Sequence, residues 1–323
     1  MNQDIKKLNL RKYQRFINVV YVFIAIFVIF IIANPRVFLS TDIYNAVFTS
    51  VPITIILTLS LVFIIVSGEI DLSFGSVMGI AGLAFGNITN ITHNQYIGLI
   101  ACIAAGLLCG LINGILVTKL KLSSLVSTLG MMFFLRGIIM IAAKGQQLPM
   151  VFLKDSAFYN IFIWRLGRFP IQMLWAILFG VVLWFLFNRF RFGAHIRFIG
   201  DNRESAREMG VNVDKTIISA FCLVGFAGSL GAVISALINL NFWPTTGDGY
   251  LLVCLAAVFL GGTPTWGGVG TIFGAFLGAM IIGFLETGII ASGLTGFWTK
   301  LVYGLIIILA IIGHRYGSER RRT

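Results

Sequence analysis

Apolar stretches of about twenty residues recur along this 323-residue chain from Phe16 to its last dozen residues. A helix needs about 20 mostly apolar residues to cross the hydrocarbon core of a bilayer. Hydrophobic residues make up 58% of the chain and charged residues only 11%, which is more apolar surface than a soluble domain can bury. The sequence therefore predicts an all-α polytopic membrane protein with a single transmembrane domain over residues 1–323.

Ten spanning segments are predicted, some of them short or broken. Their approximate bounds are 16–33, 45–66, 73–88, 96–117, 125–143, 171–187, 216–238, 250–262, 270–291 and 296–313. The spans at 73–88 and 250–262 are short, as is typical of helices that break against protein or a water-filled cavity. The first span is longer than a signal-peptide core and lacks a small-residue cleavage site, so we expect it to be retained.

The basic residues predict the orientation of these spans. The segment before residue 16, Lys119 and Lys121, the loop 188–215 and the tail 314–323 hold 17 of the 24 Lys and Arg residues. Because cytoplasmic loops carry the excess of Lys and Arg, an even number of spans predicts that both termini are cytoplasmic. The net charge of +12 needs no nucleic-acid partner, since the basic residues are not gathered in a soluble domain.

Signatures of catalysis are missing from the sequence. It contains no H-E-x-x-H pair, no G-x-S-x-G elbow and no G-x-x-x-x-G-K-[ST] phosphate loop. The four cysteines fall inside apolar runs, which predicts buried packing rather than disulfides. We therefore expect no enzyme activity, no metal and no cofactor on this chain, and energy supplied by a partner or by an ion gradient.

Charged side chains within the spans are candidates for a solute pathway, because they are costly in hydrocarbon unless paired or facing a cavity. Arg136 and Glu286 fit this description, with structural pairing as the alternative. Glu69 and Asp71 lie near a span end, where solvated or capping roles are expected. The candidate pathway set is Asp71, Ser73, Asn113, Arg136, Thr263 and Glu286.

Small residues at four-residue spacing predict close helix packing. One stripe is Gly106, Gly110 and Gly114, and a second is Gly270, Gly274 and Gly278. In addition, the segments 66–75 and 260–270 resemble each other and are separated by six spans, which suggests a parallel repeat.

The connector 200–215 predicts a short cytoplasmic helix. Asp201 and Glu204 resemble a capping box that would start the helix near Asn202, and Gly210 is placed to end it. Ala206 and Met209 share one side, while Arg203, Arg207 and the glutamates make the rest charged. Such a short helix either docks in a groove on another protein or is a solvated connector.

These residues also carry a family resemblance. The motifs are Ile70-Asp-Leu-Ser-Phe-Gly-Ser76, Ser127-Thr-Leu-Gly130 followed by Arg136-Gly137, Gly200 through Val213, and Ala256-Ala-Val258 with Leu260-Gly-Gly-Thr263. In this order they resemble motifs of the permease subunits of ribose-type bacterial ABC importers. The chain departs from the family pattern at Glu69, Asp201 and 264–266, where the family has smaller residues.

The resemblance implies a permease in the bacterial inner membrane that imports a pentose, a hexose or a related sugar-like signal. Its implied partners are cytoplasmic ATPase subunits that hold ATP and Mg²⁺, a second copy or a homologous permease, an extracytoplasmic sugar-binding protein and membrane lipid. The loop helix would couple to the ATPase through Asp201, Asn202, Glu204, Ala206, Arg207, Met209 and Gly210. An ion-coupled carrier is the alternative, although a lone Glu286 argues against it, and an intramembrane enzyme lacks a nucleophile and base.

Overall fold

A computed structural model describes residues 20–21, 23–25, 27–32 and 34–319, with side chains up to residue 312. Within the predicted first span, residues 20–21, 23–25 and 27–32 are helical. The basic residues Arg320, Arg321 and Arg322 of the predicted tail lie outside the described residues.

From residue 34 onward most of the described chain is helical. The helices are α1 (Pro35–Phe38), α2 (Thr41–Val66), α3 (Phe74–Thr92), α4 (Gln95–Thr118), α5 (Ser124–Ala143), α6 (Ala157–Ile163), α7 (Ile171–Asn188), α8 (Arg191–Asp201), α9 (Arg203–Glu208), α10 (Val213–Asn239), α11 (Tyr250–Leu260), α12 (Ile272–Ala291) and α13 (Phe297–Glu319). A 3-10 turn covers Val151–Leu153. Two antiparallel pairs of two-residue strands join β1 (Leu148–Pro149) to β4 (Asn241–Phe242) and β2 (Arg165–Leu166) to β3 (Phe169–Pro170).

The predicted all-α membrane architecture is confirmed. Among the described residues, seven helices are long and apolar enough to cross a membrane, namely α2, α3, α4, α5, α7, α10 and α12. Shorter apolar helices cover the predicted spans near 250–262 and 296–313. The 11 residues of α11 rise about 16 Å, which is roughly half the hydrocarbon thickness.

Helix α2 forms the centre of the bundle. Its most apolar window is 89% buried, and α10, α12 and α7 pack around it. Leu57, Leu61 and Phe63 are fully buried there. A helix that is apolar on all sides is expected at such a position, because it has no face toward a polar environment.

The first glycine stripe lies at the crossing of α4 and α10. Helix α4 crosses α10 so closely that a Cβ added at Gly114 would lie 2.8 Å from Cα of Ile218, and one at Gly110 would lie 2.9 Å from Cα of Cys222. A Cβ at Gly106 would overlap the Gly225 carbonyl. Any larger side chain here would force the two helices apart.

The second glycine stripe is divided between α12 and the loop that precedes it. Gly274 and Gly278 pack against the backbone of Gly261 and Ala257, at the crossing of α12 and α11. Gly270 lies outside the helix, because α12 begins at Ile272 and the Thr271 hydroxyl caps it by accepting from the Gly274 N–H at 3.0 Å. Gly270 is also tightly packed, since a Cβ added there would lie 2.5 Å from Cγ2 of Val66.

The connectors sort into two ends of the bundle. At the α9 end, the connectors 67–73, 119–123, 189–212 and 261–271 meet. The Gly268 N–H donates to the Val66 carbonyl at 2.8 Å, and Lys119 pairs with Asp214 at 2.7 Å. At the opposite end, Arg168 donates to Thr41 at 3.0 Å and β1 pairs with β4. This sorting fits the predicted alternation of spans, and the similar segments 66–75 and 260–270 lie side by side at the α9 end.

Candidate functional site

The loop helix α9 begins one residue later than the predicted capping box. The N-cap is Asn202, whose side-chain oxygen accepts from the Ser205 N–H at 2.9 Å. Asp201 is instead the last residue of α8, so the predicted capping role of Asp201 and Glu204 is wrong. Asn202 has the extended backbone of an N-cap, with φ −156°, and turns the chain from one helix into the next.

The predicted end of α9 is confirmed. Gly210 has φ +81°, its N–H donates to the Arg207 carbonyl at 2.9 Å, and the Val211 N–H donates to the Ala206 carbonyl at 3.0 Å. These two bonds form a Schellman motif, in which glycine is favoured because the left-handed backbone crowds a Cβ.

The two apolar residues of α9 have opposite environments. Ala206 is fully buried within this chain, whereas Met209 is 60% exposed. The expectation that Ala206 fills a groove on another protein is therefore corrected, because its methyl group already packs within this chain. The surface that remains for a partner consists of Met209 with the exposed side chains of Glu204, Arg207 and Glu208.

An ion pair joins α9 to the connector between α2 and α3. The guanidinium of Arg203 donates to Oε1 of Glu69, with Glu69 almost fully buried and Arg203 partly exposed. Glu69 is therefore not the solvated residue expected from the sequence. A buried carboxylate is costly without a partner, so the pair with Arg203 stabilises this connector against α9.

The same connector leads into a buried polar network. Oδ1 of Asp71 accepts from both the N–H and the hydroxyl of Ser73 at 2.7 Å, and Nδ2 of Asn113 donates to that hydroxyl at 2.7 Å. Burial raises the pKa of Asp71 to about 6, against the lowering effect of hydrogen bonds from Ser73 and Phe74. The structure thus brings together three of the six predicted pathway residues. Asp71 is buried rather than solvated, and it lies two residues before Ser73, the N-cap of α3.

Backbone contacts complete the α9 end. A Cβ at Gly200 would overlap the carbonyl oxygen of Val66 and would lie 2.5 Å from the Gly268 nitrogen. The connector 261–271 thereby packs directly against the end of α8 and the end of α2. Thr263 is fully buried in this connector, and its hydroxyl has no hydrogen-bond partner among the described residues.

The remaining predicted residues lie elsewhere. Arg136 on α5 forms an ion pair with Asp248, in the connector between α10 and α11. Glu286 on α12 is exposed in the isolated chain and accepts from the Tyr303 hydroxyl at 3.0 Å. The six predicted pathway residues are therefore divided among four places: Asp71, Ser73 and Asn113 form one network, and Thr263, Arg136 and Glu286 each lie apart from it.

In the described part of the chain, seven apolar helices of spanning length and a capped loop helix at one end define a polytopic membrane protein. The family model described as branched-chain amino acid transport system / permease component matches residues 43–311. The chain belongs to this family, and the resemblance to ribose-type ABC importer permeases is confirmed. It is a multi-pass membrane permease of an ABC importer, so the ion-coupled carrier is set aside.

Several relatives support this assignment. The ribose import permease protein RbsC of Escherichia coli K12 is 30% identical over 285 residues, which cover 86% of this chain and 87% of the relative. The L-arabinose transport system permease protein AraH of the same strain is 30% identical over 263 residues, 81% and 79% of the two chains. The autoinducer 2 import system permease protein LsrC of Photorhabdus luminescens is 31% identical over 279 residues, 85% and 82%. No solved structure gives a significant match.

Proposed function

We propose that this permease imports a small sugar, a pentose or hexose or a related sugar-like signal, into the bacterial cytoplasm. Support comes from relatives that are named for ribose, arabinose and autoinducer 2. The family description names branched-chain amino acids instead, which makes substrate class the first property to test.

The proposed assembly contains two permeases, either two copies of this chain or one copy with a homologous chain. Two cytoplasmic subunits bind and hydrolyse ATP with Mg²⁺, since this sequence has no phosphate-binding loop. An extracytoplasmic binding protein delivers the sugar. Both termini and the loop 188–215 face the cytoplasm, the side on which the ATPase subunits dock.

The observation that carries the proposed coupling to an ATPase is the anchoring of α9. Its outer surface presents Met209 and several charges, while its inner side is fixed to the bundle through Ala206 and the Arg203–Glu69 pair. An ATPase that displaces α9 would therefore pull on connector 67–73. That connector continues into the Asp71–Ser73–Asn113 network and into α3, which gives a direct mechanical route from ATP hydrolysis to the spanning helices.

The test is reconstitution of the permease with its ATPase subunits and binding protein in proteoliposomes. We expect ATP-dependent uptake of labelled ribose, arabinose or a related sugar, without uptake of leucine. Leucine uptake would refute the sugar assignment. Uptake that follows an ion gradient and persists without ATPase subunits would refute the importer mechanism.

A further inference from the structure

The connector between α10 and α11 runs into the helix bundle instead of lying across its end. Helix α11 has only 11 residues and reaches the α9 end at Gly261, so its first residue, Tyr250, starts deep within the bundle. A spanning helix would need about 20 residues for the same crossing. The connector 240–249 must therefore supply the rest of the distance from the opposite end.

Contacts along α3 trace this descent. A Cβ added at Gly82 would lie 3.0 Å from the Phe242 ring, one at Gly79 would lie 3.0 Å from the Thr246 carbonyl oxygen, and one at Gly75 would lie 2.6 Å from the Gly247 carbonyl oxygen. Gly75 is the second residue of α3, which begins at the α9 end. The segment thus runs along a glycine-lined face over the half of α3 that is nearer the α9 end. We refer to residues 243–249 as the re-entrant loop.

A single guanidinium organises the re-entrant loop. Arg136 donates to the carbonyls of Pro244 at 2.8 Å and Thr246 at 3.1 Å, and it pairs with the Asp248 carboxylate. Turn bonds from the Thr246 N–H to the Trp243 carbonyl and from the Asp248 N–H to the Thr245 carbonyl, at 2.8 and 2.9 Å, fold the loop around it. Non-helical backbone at membrane depth needs such partners because lipid offers none.

The other side of the loop is open. The Asp248 side chain is 55% exposed, Trp243 is 49% exposed, and Thr245 is also exposed. A carboxylate at this depth cannot face lipid without a large penalty. Irregular backbone within the membrane occurs where it is buried in protein or lines a water-filled cavity, and only the second arrangement leaves Asp248 hydrated.

We propose that the re-entrant loop lines the solute passage, with Asp248 and Trp243 in contact with a polyhydroxylated solute; this inference rests on the proposed sugar import. The carboxylate accepts hydrogen bonds from neighbouring hydroxyls, while the Trp243 ring presents an apolar face with a polar edge to the C–H surface of a sugar ring. Because Arg136 and Asp248 cancel in charge, the surface suits an uncharged solute. Arg136 is the positioning residue that holds the loop.

The first experiment tests whether the loop faces water. Thr245→Cys is introduced into a variant in which the four native cysteines, Cys102, Cys109, Cys222 and Cys254, are replaced by alanine. The assembled transporter is then treated with a membrane-impermeant methanethiosulfonate reagent. Val182→Cys, at the middle of α7 and 53% exposed in the isolated chain, is the matched control. We expect Thr245→Cys to be labelled, with loss of uptake, and Val182→Cys to remain unlabelled.

Labelling also separates this inference from the proposed function. If Thr245→Cys reacts no faster than Val182→Cys, both at rest and with ATP bound, a second permease or lipid covers the loop and the passage assignment is overturned. If it reacts and uptake of another solute is blocked, the loop lines the passage and only the sugar assignment fails.

The second experiment tests contact with the solute. We expect Trp243→Ala to lower the maximal uptake rate about 3- to 10-fold, the factor that corresponds to one aromatic contact, and Trp243→Phe to recover most of it. Membrane level and binding of the ATPase subunits should match the parent chain in both variants. An uptake rate in Trp243→Ala equal to that of the parent chain would overturn the contact.

Discussion

Glu69 and Arg203 lie 134 positions apart in the chain, yet they form an ion pair that fastens the loop helix α9 to the connector following α2. The carboxylate is buried, whereas the guanidinium is partly open to solvent. Glu69 is also one of the departures from the family pattern, as are Asp201 and the segment 264–266, and all three lie at the α9 end. The departures are therefore concentrated at the end of the bundle where we propose that the ATPase docks.

The ion pair predicts an asymmetric pattern of substitutions. Arg203→Gln leaves the buried Glu69 carboxylate without its partner, whereas Glu69→Gln removes the buried charge itself. We expect Arg203→Gln to destabilise the permease by roughly 1–3 kcal/mol, which is reduced from the fully buried case because Arg203 is partly exposed, and to lower ATP-coupled uptake.

The double variant Glu69→Gln/Arg203→Gln should be more stable than Arg203→Gln alone. The thermal midpoints of the parent chain, both single variants and the double variant in detergent form a double-mutant cycle. Uptake per ATP hydrolysed is measured for the same four chains. Effects that simply add would show that the two side chains do not interact.

Two glutamate substitutions on α9 separate docking from folding. Met209→Glu adds a charge to an exposed position, so we expect normal membrane level with reduced co-purification of the ATPase and reduced uptake. Ala206→Glu forces a charge into a fully buried position and should lower the amount of folded permease instead. Unchanged ATPase binding and uptake in Met209→Glu would mean that α9 is a solvated connector.

The crossing of α4 and α10 predicts a difference between two identical substitutions. Gly110→Ala would place a methyl group within 2.9 Å of Cys222 backbone, and overpacking of this kind costs about 1–3 kcal/mol. Gly304→Ala, in α13, meets nothing within 4 Å and replaces a poor helix former with a good one. We expect a lower thermal midpoint for Gly110→Ala and an unchanged or higher one for Gly304→Ala. Equal midpoints would mean that the helices separate without cost.

The sequence predicts the helices and some of their ends for local reasons. Apolar runs set the spans, and Gly210 ends α9 because the last turn requires a left-handed residue. Asn202 displaces Asp201 as N-cap because α8 precedes α9 directly, and α8 was not predicted within the loop 188–215. A capping pattern alone does not show that its first residue already belongs to another helix.

Long-range partners could not be predicted from one sequence. The pairs Glu69–Arg203 and Arg136–Asp248 join residues that only the tertiary fold brings together, and the burial of Ala206 depends on the same packing. A short span at 250–262 was nevertheless a signal. It predicted a helix that ends against protein or a water-filled cavity, and we propose that the connector 240–249 completes the crossing.

Orientation in the membrane predicts two opposite reporter results. The α9 end holds Arg197, Arg203, Arg207 and further basic residues, so the positive-inside rule predicts that it faces the cytoplasm. A reporter that is active only outside the cytoplasm should be inactive after Thr323 and active when inserted at Asp155, an exposed residue at the opposite end. The reverse pair of signals would invert the topology and place α9 away from any cytoplasmic ATPase.

The buried carboxyl of Asp71 predicts a pH dependence of stability. Asp71 lies in the connector outside the spanning helices, and burial raises its pKa from 3.8 to about 6. Because the folded state binds the proton more tightly than the unfolded state, stability should rise as pH falls from about 6 toward 4 and stay flat above the folded pKa.

Asp71→Asn keeps an oxygen that accepts from Ser73 and removes the titration, so its thermal midpoint should lack this rise and should equal or exceed that of the parent chain at pH 7. Asp71→Ala should be less stable at every pH, since the N–H and hydroxyl of Ser73 lose their acceptor. Thermal midpoints of the three purified chains between pH 4 and 7.5 measure both effects, and an identical pH profile for the parent chain and Asp71→Asn would show that Asp71 does not titrate in this range.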